Sequence, residues 1–294
     1  MIDVFNISSQ KQQTFTFYAT GDWQTWSKPR NAKMIEIFCL GGGGGGGVAA
    51  ITIFNGSSGS GGGSAGIVRG LIPAFLIPDT LYILVGRGGA GSNLSNTPGS
   101  NGEISYIGTQ PSISEQTLIC KSSTTTAGAG STAIGLGASA SVVSLSSFGN
   151  LGLFTAIAGV NGSTGVGSAG GNGVSQNALA SSLLTGGGGG GGKLSSGVSY
   201  SGGSITSAPS ILTTPVNGGV DSTKPNGDNG YGSLNPFCGT GGAGGFGRGG
   251  SSGVGGNGGN GWYGCGGGGA GAGSDAPATA GNGGDGLVII TVIS

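Results

Sequence analysis

Met34-Ile-Glu-Ile-Phe-Cys-Leu40 runs without interruption into seven glycines, Gly41 to Gly47. The reading of this junction decides the fold. Its first half is rich in β-branched and aromatic residues, the composition of a strand. Its second half has no side chains, so it can cohere only through its backbone groups. Outward from the junction the same two materials alternate. Phe15 and Phe17 interleave with Thr14 and Thr16, the period of a half-buried strand, and Pro29 marks a turn before Met34. The chain closes on a second strongly β-prone run, Gly286–Ile293, ending LVIITVI before Ser294. Val48–Phe54, Leu81–Val85, Gly102–Ile107, Thr117–Lys121 and Val142–Leu145 are further strand candidates. No segment shows a 3.6-residue apolar stripe with caps, so almost no helix is expected.

The strong strands lie at the two ends, with most of the glycine between them. This predicts an all-β protein: a β-sandwich formed by residues 1–121 together with 284–294, its terminal strands side by side. Residues 122–283 then emerge as a glycine-rich insertion and display region. Glycine supplies 75 of the 294 residues. Each one fixed in regular structure costs roughly 0.5–1 kcal/mol more than alanine, and none buries a side chain in return. Dense backbone hydrogen bonding, close backbone packing or burial between subunits has to offset that cost. The composition therefore leads us to expect a homo-oligomer.

From Gly241 the residues Gly241, Gly244, Gly247, Gly250, Gly253, Gly256 and Gly259 recur at a period of three. That is the repeat of a polyproline II-type helix, whose backbone groups are free to bond neighbours. Packed polyglycine II-type helices are the reading taken here, with flexible linker as the alternative. Collagen fits poorly, because no proline occurs between Pro236 and Pro277.

Charge and chemistry exclude several classes. Ten basic and ten acidic residues leave the chain neutral, without the basic footprint that phosphate neutralisation requires, so nucleic acid is not an expected partner. Histidine is absent, which removes the usual general base and the commonest metal ligand. Serine is plentiful but lacks that activating base, and the acidic residues are thinly spread. No catalytic residues, no metal ligands and no cofactor are assigned, and the chain is not expected to be an enzyme. The N-terminus shows no secretory signal. The most apolar stretch, Phe148 to Val160, is too short to span a bilayer, so no membrane insertion is expected.

Two motifs are weak mimics. Gly186–Gly192 followed by Lys193 imitates part of a phosphate loop, but Leu194 stands where Ser or Thr would hold magnesium. Ala280–Val288 matches a calcium-binding nonapeptide except at its first position, yet such repeats work by stacking and one copy builds no site; Asp285 is read as part of a turn into the last strand. Cys39, Cys120, Cys238 and Cys265 form no CxxC pair. Free buried thiols are the expected state, with a Cys238–Cys265 bridge as the alternative.

What stands out is where bulky groups occur within the glycine field. Phe237, Phe246, Arg248, Trp262 and Tyr263 are surrounded by Gly, Ala, Ser and Asn. Aromatic and arginine side chains dominate binding hot spots, so these five are candidate receptor-binding residues; capping of the glycine bundle is the alternative. Tyr200, Tyr231 and Trp23 are weaker candidates of the same kind.

The order of blocks then resembles a known family. Trp26-Ser-Lys-Pro29 and the Ile35–Leu40 strand lead into the glycine tract. Leu81-Tyr-Ile-Leu-Val-Gly-Arg-Gly-Gly-Ala-Gly91, Gly261-Trp-Tyr-Gly-Cys-Gly-Gly-Gly-Gly-Ala270 and Gly284-Asp-Gly-Leu-Val-Ile-Ile290 follow. This is similar to the glycine-rich domain proteins of bacteriophage tails, fibres and other virion parts. The resemblance covers nearly the whole chain and implies a β-sandwich-like domain with glycine-rich loops. It further implies a non-enzymatic virion structural protein, at a tail or head fibre tip, that binds a host-cell surface receptor. The alternative is a decoration, collar or fibre-anchoring protein with no receptor role. The implied partners are other virion proteins and a host polysaccharide or outer-membrane protein. Assembly in the host cytoplasm would fit the missing signal, and analogy with viral fibres favours a trimer.

Overall fold

A computed structural model describes residues 12–51, 53–54, 56–123, 153–166, 170–177, 183–207, 214–234 and 237–294. Among them lie β1 (Gln12–Tyr18), β2 (Gln24–Ser27), β3 (Met34–Leu40), β4 (Ile67–Pro73), β5 (Thr80–Leu84), β6 (Tyr106–Gly108), β7 (Leu118–Lys121) and β8 (Leu153–Ile157). Then come the short β9 (Gln176–Asn177), β10 (Ile205–Ser207), β11 (Gly232–Leu234) and β12 (Phe237–Gly239), and finally β13 (Leu287–Ile293). The described helix content is one 3-10 turn, Ala74–Leu76. No described helix is long and apolar enough to cross a membrane.

The long strands form a five-stranded antiparallel sheet in the order β1-β13-β3-β4-β8. The last strand of the chain thus sits between the first and third, with Phe15 opposite Ile290 and Ile290 opposite Ile37. A four-stranded antiparallel sheet, β2-β5-β6-β7, lies against it. The alternation in each strand turns one set of side chains inward. Ile35, Ile37, Val68, Ile72, Val288, Ile290 and Val292 of the first sheet share one buried cluster with Trp26, Leu81, Ile83, Ile107 and Ile119 of the second. Phe15 and Phe17 pack on its edge, as their interleaving with threonine predicts. Full burial of each large aliphatic side chain contributes roughly 1.5–3 kcal/mol.

Several strand expectations change. The described residues of Val48–Phe54 form no strand: Val48 makes an isolated bridge to Thr97, because its amide continues the bonding pattern of the glycines before it. Gly102–Ile107 pairs only from Tyr106, since the Glu103 carbonyl accepts from the Gly42 amide instead. Val142–Leu145 lies outside the described residues. Among the long strands of the first sheet, β4 and β8 were not expected from the sequence. Gly70 lies in the middle of β4, where a Cβ would collide with the ring of Phe154 on β8, so the glycine makes room for an aromatic cover.

The glycines form a second body. β3 continues directly into the extended run 41–48, β5 into 86–92, and the runs ending at 65 and 286 lead into β4 and β13. Runs on both sides of residue 122 are joined in this body. Its best-surrounded member is 264–272. The amides of Gly266, Gly269 and Ala272 donate to Thr185, Gly188 and Gly191; those of Gly267 and Ala270 to Gly44 and Gly47; those of Gly268 and Gly271 to Gly259 and Gly256. Its carbonyls accept from three more runs: Gly59 and Gly62 donate to Ala270 and Gly267, Gly242 and Gly245 to Gly266 and Gly269, and Gly281 and Gly284 to Gly268 and Cys265. Direction repeats every third residue, the period of a polyproline II-type helix. A Cβ on Gly266, Gly267, Gly268, Gly269 or Gly271 would fall deep inside contact with a backbone carbonyl of a neighbouring run. Serine enters where its hydroxyl replaces such a bond: the buried Ser60 and Ser64 hydroxyls accept from the Gly165 and Val160 amides at 3.0 and 2.8 Å.

The period-three phase from Gly241 to Gly259 spans two runs rather than one. Gly256 and Gly259 donate back to Phe246 and Ala243, so the runs are antiparallel. Gly250 (φ 98°) and Gly253 (φ 118°) occupy the turn between them, in left-handed conformations that glycine adopts without strain.

Candidate functional site

The five residues singled out by their glycine surroundings do not form one site. Phe237 and Phe246 are buried, 5% and 6% exposed, Trp262 and Tyr263 are half-buried, and Arg248 is exposed. Three of them join a ladder of rings: Phe38 to Phe237 at 4.7 Å, Phe237 to Trp262 at 5.4 Å, Trp262 to Tyr263 at 5.0 Å and Tyr263 to Tyr18 at 6.1 Å. Tilted and edge-on ring pairs of this kind contribute roughly 0.5–1.5 kcal/mol each beyond area. The ladder seals the place where the strands of the first sheet pass into glycine, together with Leu40, Ile67, Leu287 and Cys265. Phe246 lies elsewhere, its amide donating to Pro225, and Arg248 covers Gly253 at the turn. Of the weaker candidates, Trp23 pairs with Tyr106 at 6.5 Å. The Tyr231 hydroxyl donates to the Thr214 carbonyl, and the Tyr200 backbone exchanges hydrogen bonds with Gly247.

The motif mimics resolve into structural parts. The amides from Gly187 to Lys193 all donate to carbonyls of neighbouring runs, leaving no cradle of free N–H groups for a phosphate. Lys193 is fully buried and its Nζ donates to the Gly250 carbonyl at 3.3 Å and to the Ser274 hydroxyl. Burial lowers its pKa, and nearby Asp275 opposes the shift. It closes the end of its run. Asp285 accepts from the Gly88 amide at 2.8 Å and so caps a neighbouring run rather than a turn. All four cysteines are buried free thiols. Burial pushes the Cys265 thiol up to about 12, and the Cys39 thiol beside Cys120, with burial, pushes Cys120 well up.

Two of the surfaces formed by the described residues bear on contact with another molecule. One is the outer face of the five-stranded sheet, where Glu36, Phe38, Arg69, Leu234, Phe237 and Thr291 line a groove of about 410 Å³. Arg69 lies 5.5 Å over the Phe38 ring there, and Leu153 beside it is 78% exposed. The other surface is a side of the glycine body that no further run covers among the described residues. On it the backbone amides at the edge are satisfied by asparagine side chains. Asn260 and Asn282 donate their amides to Oδ1 of Asn229 and Asn260 at 2.8 and 2.9 Å, and Gly91 donates to Oδ1 of Asn282 at 2.8 Å. A second row three residues away repeats this: Asn257 donates to Oδ1 of Asn226 and Thr279 to Oδ1 of Asn257, both at 2.9 Å. Two rows of side chains thus cross the exposed runs. A furrow of about 380 Å³ opens beside the first row, lined by Asn260, Gly261, Asn282, Gly284, Asp285 and Gly88.

These asparagines were passed over in the sequence. The signal was present as Asn226-Gly-Asp-Asn229 and Asn257-Gly-Gly-Asn260, a period of three that matches the turn of the runs.

A family model described as a glycine-rich domain matches residues 18–292. A search among curated proteins gave no match.

Proposed function

The chain belongs to the glycine-rich domain family, and from that premise we propose that it is a non-enzymatic structural protein of a bacteriophage virion, carried at a tail or head fibre tip and binding a host-cell surface receptor. One observation supports this reading above the rest. The glycine body coheres through its backbone, so the side chains along the edge that no described run covers need not fill a core, and their bonds to the runs hold them in fixed positions. That is what a display platform requires: rigidity beneath, and side chains preorganised for contact. Assembly with other virion proteins in the host cytoplasm, as a trimer by analogy with viral fibres, belongs to the same proposal.

Of the candidate receptor-binding residues, Arg248, Trp262 and Tyr263 are reachable from outside, whereas Phe237 and Phe246 act from within by holding the platform. The test is direct. Fluorescently labelled full-length chain is added to a panel of bacterial strains, with saturable surface labelling of a subset as the expected outcome. A chain that labels none of them overturns the receptor role.

A second reading, a fibre-anchoring or decoration protein, is favoured by the sheet's outer face with its exposed Leu153 and its groove of mixed apolar and charged lining. On that reading an antibody against Leu153–Ile157 fails to label intact particles, because a neighbouring subunit covers the strand.

A further inference from the structure

We infer that the asparagine-bearing side of the glycine body is a binding surface for a neutral linear polysaccharide, with the furrow between Asn260, Asn282 and Asp285 as its central subsite; this rests on the receptor-binding reading above and names the receptor's chemical class. The orientation of the asparagines carries the inference. A backbone N–H can only donate, so each amide donating to an asparagine fixes Oδ1 inward and turns Nδ2 away from the chain. This holds at Asn226, Asn229, Asn257, Asn260 and Asn282, each of which accepts one such bond at 2.8–2.9 Å. All five are exposed, and among the described residues their Nδ2 groups make no hydrogen bond within the chain. The result is a set of aimed donors whose rotamers are already locked, so binding orders little further.

Spacing and charge select the ligand. Rows three residues apart along a polyproline II-type run are separated by about 9 Å at a rise of 3.1 Å per residue. A surface that repeats on that scale suits a polymer whose acceptors also repeat, and weak contacts to successive units then add through effective concentration. The rows carry amides rather than cations, and the carboxylate of Asp285 stands in the furrow. A phosphate polymer would find no charge to neutralise it. A protein partner would look for desolvated aromatic or arginine anchors, and the furrow has none. Hydroxyl groups, which accept from Nδ2 and donate to the Asp285 carboxylate, match every group present.

The experiment uses the full-length chain and two variants, N260D/N282D and N229D/N257D. Aspartate keeps the inward oxygen that accepts the neighbouring amide, while replacing the outward donor with an acceptor. Binding is read on an array of purified bacterial surface polysaccharides, both neutral and charged, with labelling of whole cells in parallel. The expected result is that the wild type binds one or more neutral linear polymers more tightly as chain length grows. N260D/N282D weakens this at least tenfold and N229D/N257D by less, with unchanged thermal midpoints. Three outcomes overturn the inference. If the variants label cells as the wild type does, the receptor reading stands and the asparagine face is not its site. If protease treatment of cells abolishes labelling and no polysaccharide binds, the receptor is an outer-membrane protein. If the wild type neither labels cells nor binds polymers, both readings fall together.

Discussion

Ile37 and Gly267 are both fully enclosed, yet almost nothing about their enclosure is shared. Ile37 sits among the side chains of two sheets, and what surrounds it is branched hydrocarbon. Gly267 sits among backbones: its amide reaches Gly44, its carbonyl accepts from Gly62, and the space a side chain would need is filled by the Gly281 carbonyl. One region coheres by removing apolar surface from water, the other by completing hydrogen bonds in a space too narrow for side chains. The comparison shows that density of packing and hydrophobicity are separable. Interiors are close-packed wherever atoms interdigitate, and carbonyl against glycine does this as well as isoleucine against leucine.

The sharpest way to break the comparison is to give the glycine region a side chain. Gly267→Val places three carbons where only a carbonyl fits, and its expected outcome is loss of soluble folded chain. Gly267→Ala costs roughly 3 kcal/mol or more, the upper end for overpacking, read by denaturant unfolding. Retention of wild-type stability in the alanine variant would mean the runs can part to admit a methyl group. The reverse change tests the sheets. Ile37→Ala removes hydrocarbon from the shared core and is expected to cost about 2–5 kcal/mol. Because strands pass directly into glycine runs, it lowers the stability of both regions in one transition, and two separate thermal transitions would show that the regions fold independently.

A smaller effect appears in alkali, at the joint between the two materials. The folded chain holds Cys265 protonated up to about pH 12, whereas an unfolded thiol starts from the ordinary value of 9.0. The folded state therefore binds the extra proton, and its stabilising contribution is complete below pH 9 and lost as the pH climbs toward 12. Stability is expected to fall across that window, and Cys265→Ala to shallow the slope, with Cys120 supplying part of what is left. A slope unchanged by the substitution would remove Cys265 from this account.

The sheets were legible where side chains carry a pattern. The interleaving of Phe15 and Phe17 with threonine and the apolar runs at 34–40 and 287–293 announce strands and the side that faces inward. β4 was hidden by Gly70, whose purpose, to admit the Phe154 ring, depends on a strand far away in the chain. In the glycine body the difficulty is general. A residue without a side chain marks neither direction nor turn, so Gly250 and Gly253 share a phase with Gly244 and Gly256 while belonging to a reversal. The structural part that Phe237 plays was hidden for a related reason. Phe237 looked displayed because its sequence neighbours are small, but it fills the wedge left where Phe38, on a strand, meets Trp262 on glycine. The asparagines could have been found, had period three been sought in polar residues as well as in glycine.

The three-residue step of hydrogen bonding also sets a rule for how such a chain can change length. Inserting a single residue at Gly268 would turn every later position of that run by a third of a revolution, so each amide would face the wrong neighbour. Two residues would do the same in the opposite sense. Only whole multiples of three keep the directions, which at the level of the gene means steps of nine bases. Deletions and duplications that are harmless in the surface turns are thus filtered, within the runs, by a periodicity that belongs to the backbone and not to any side chain.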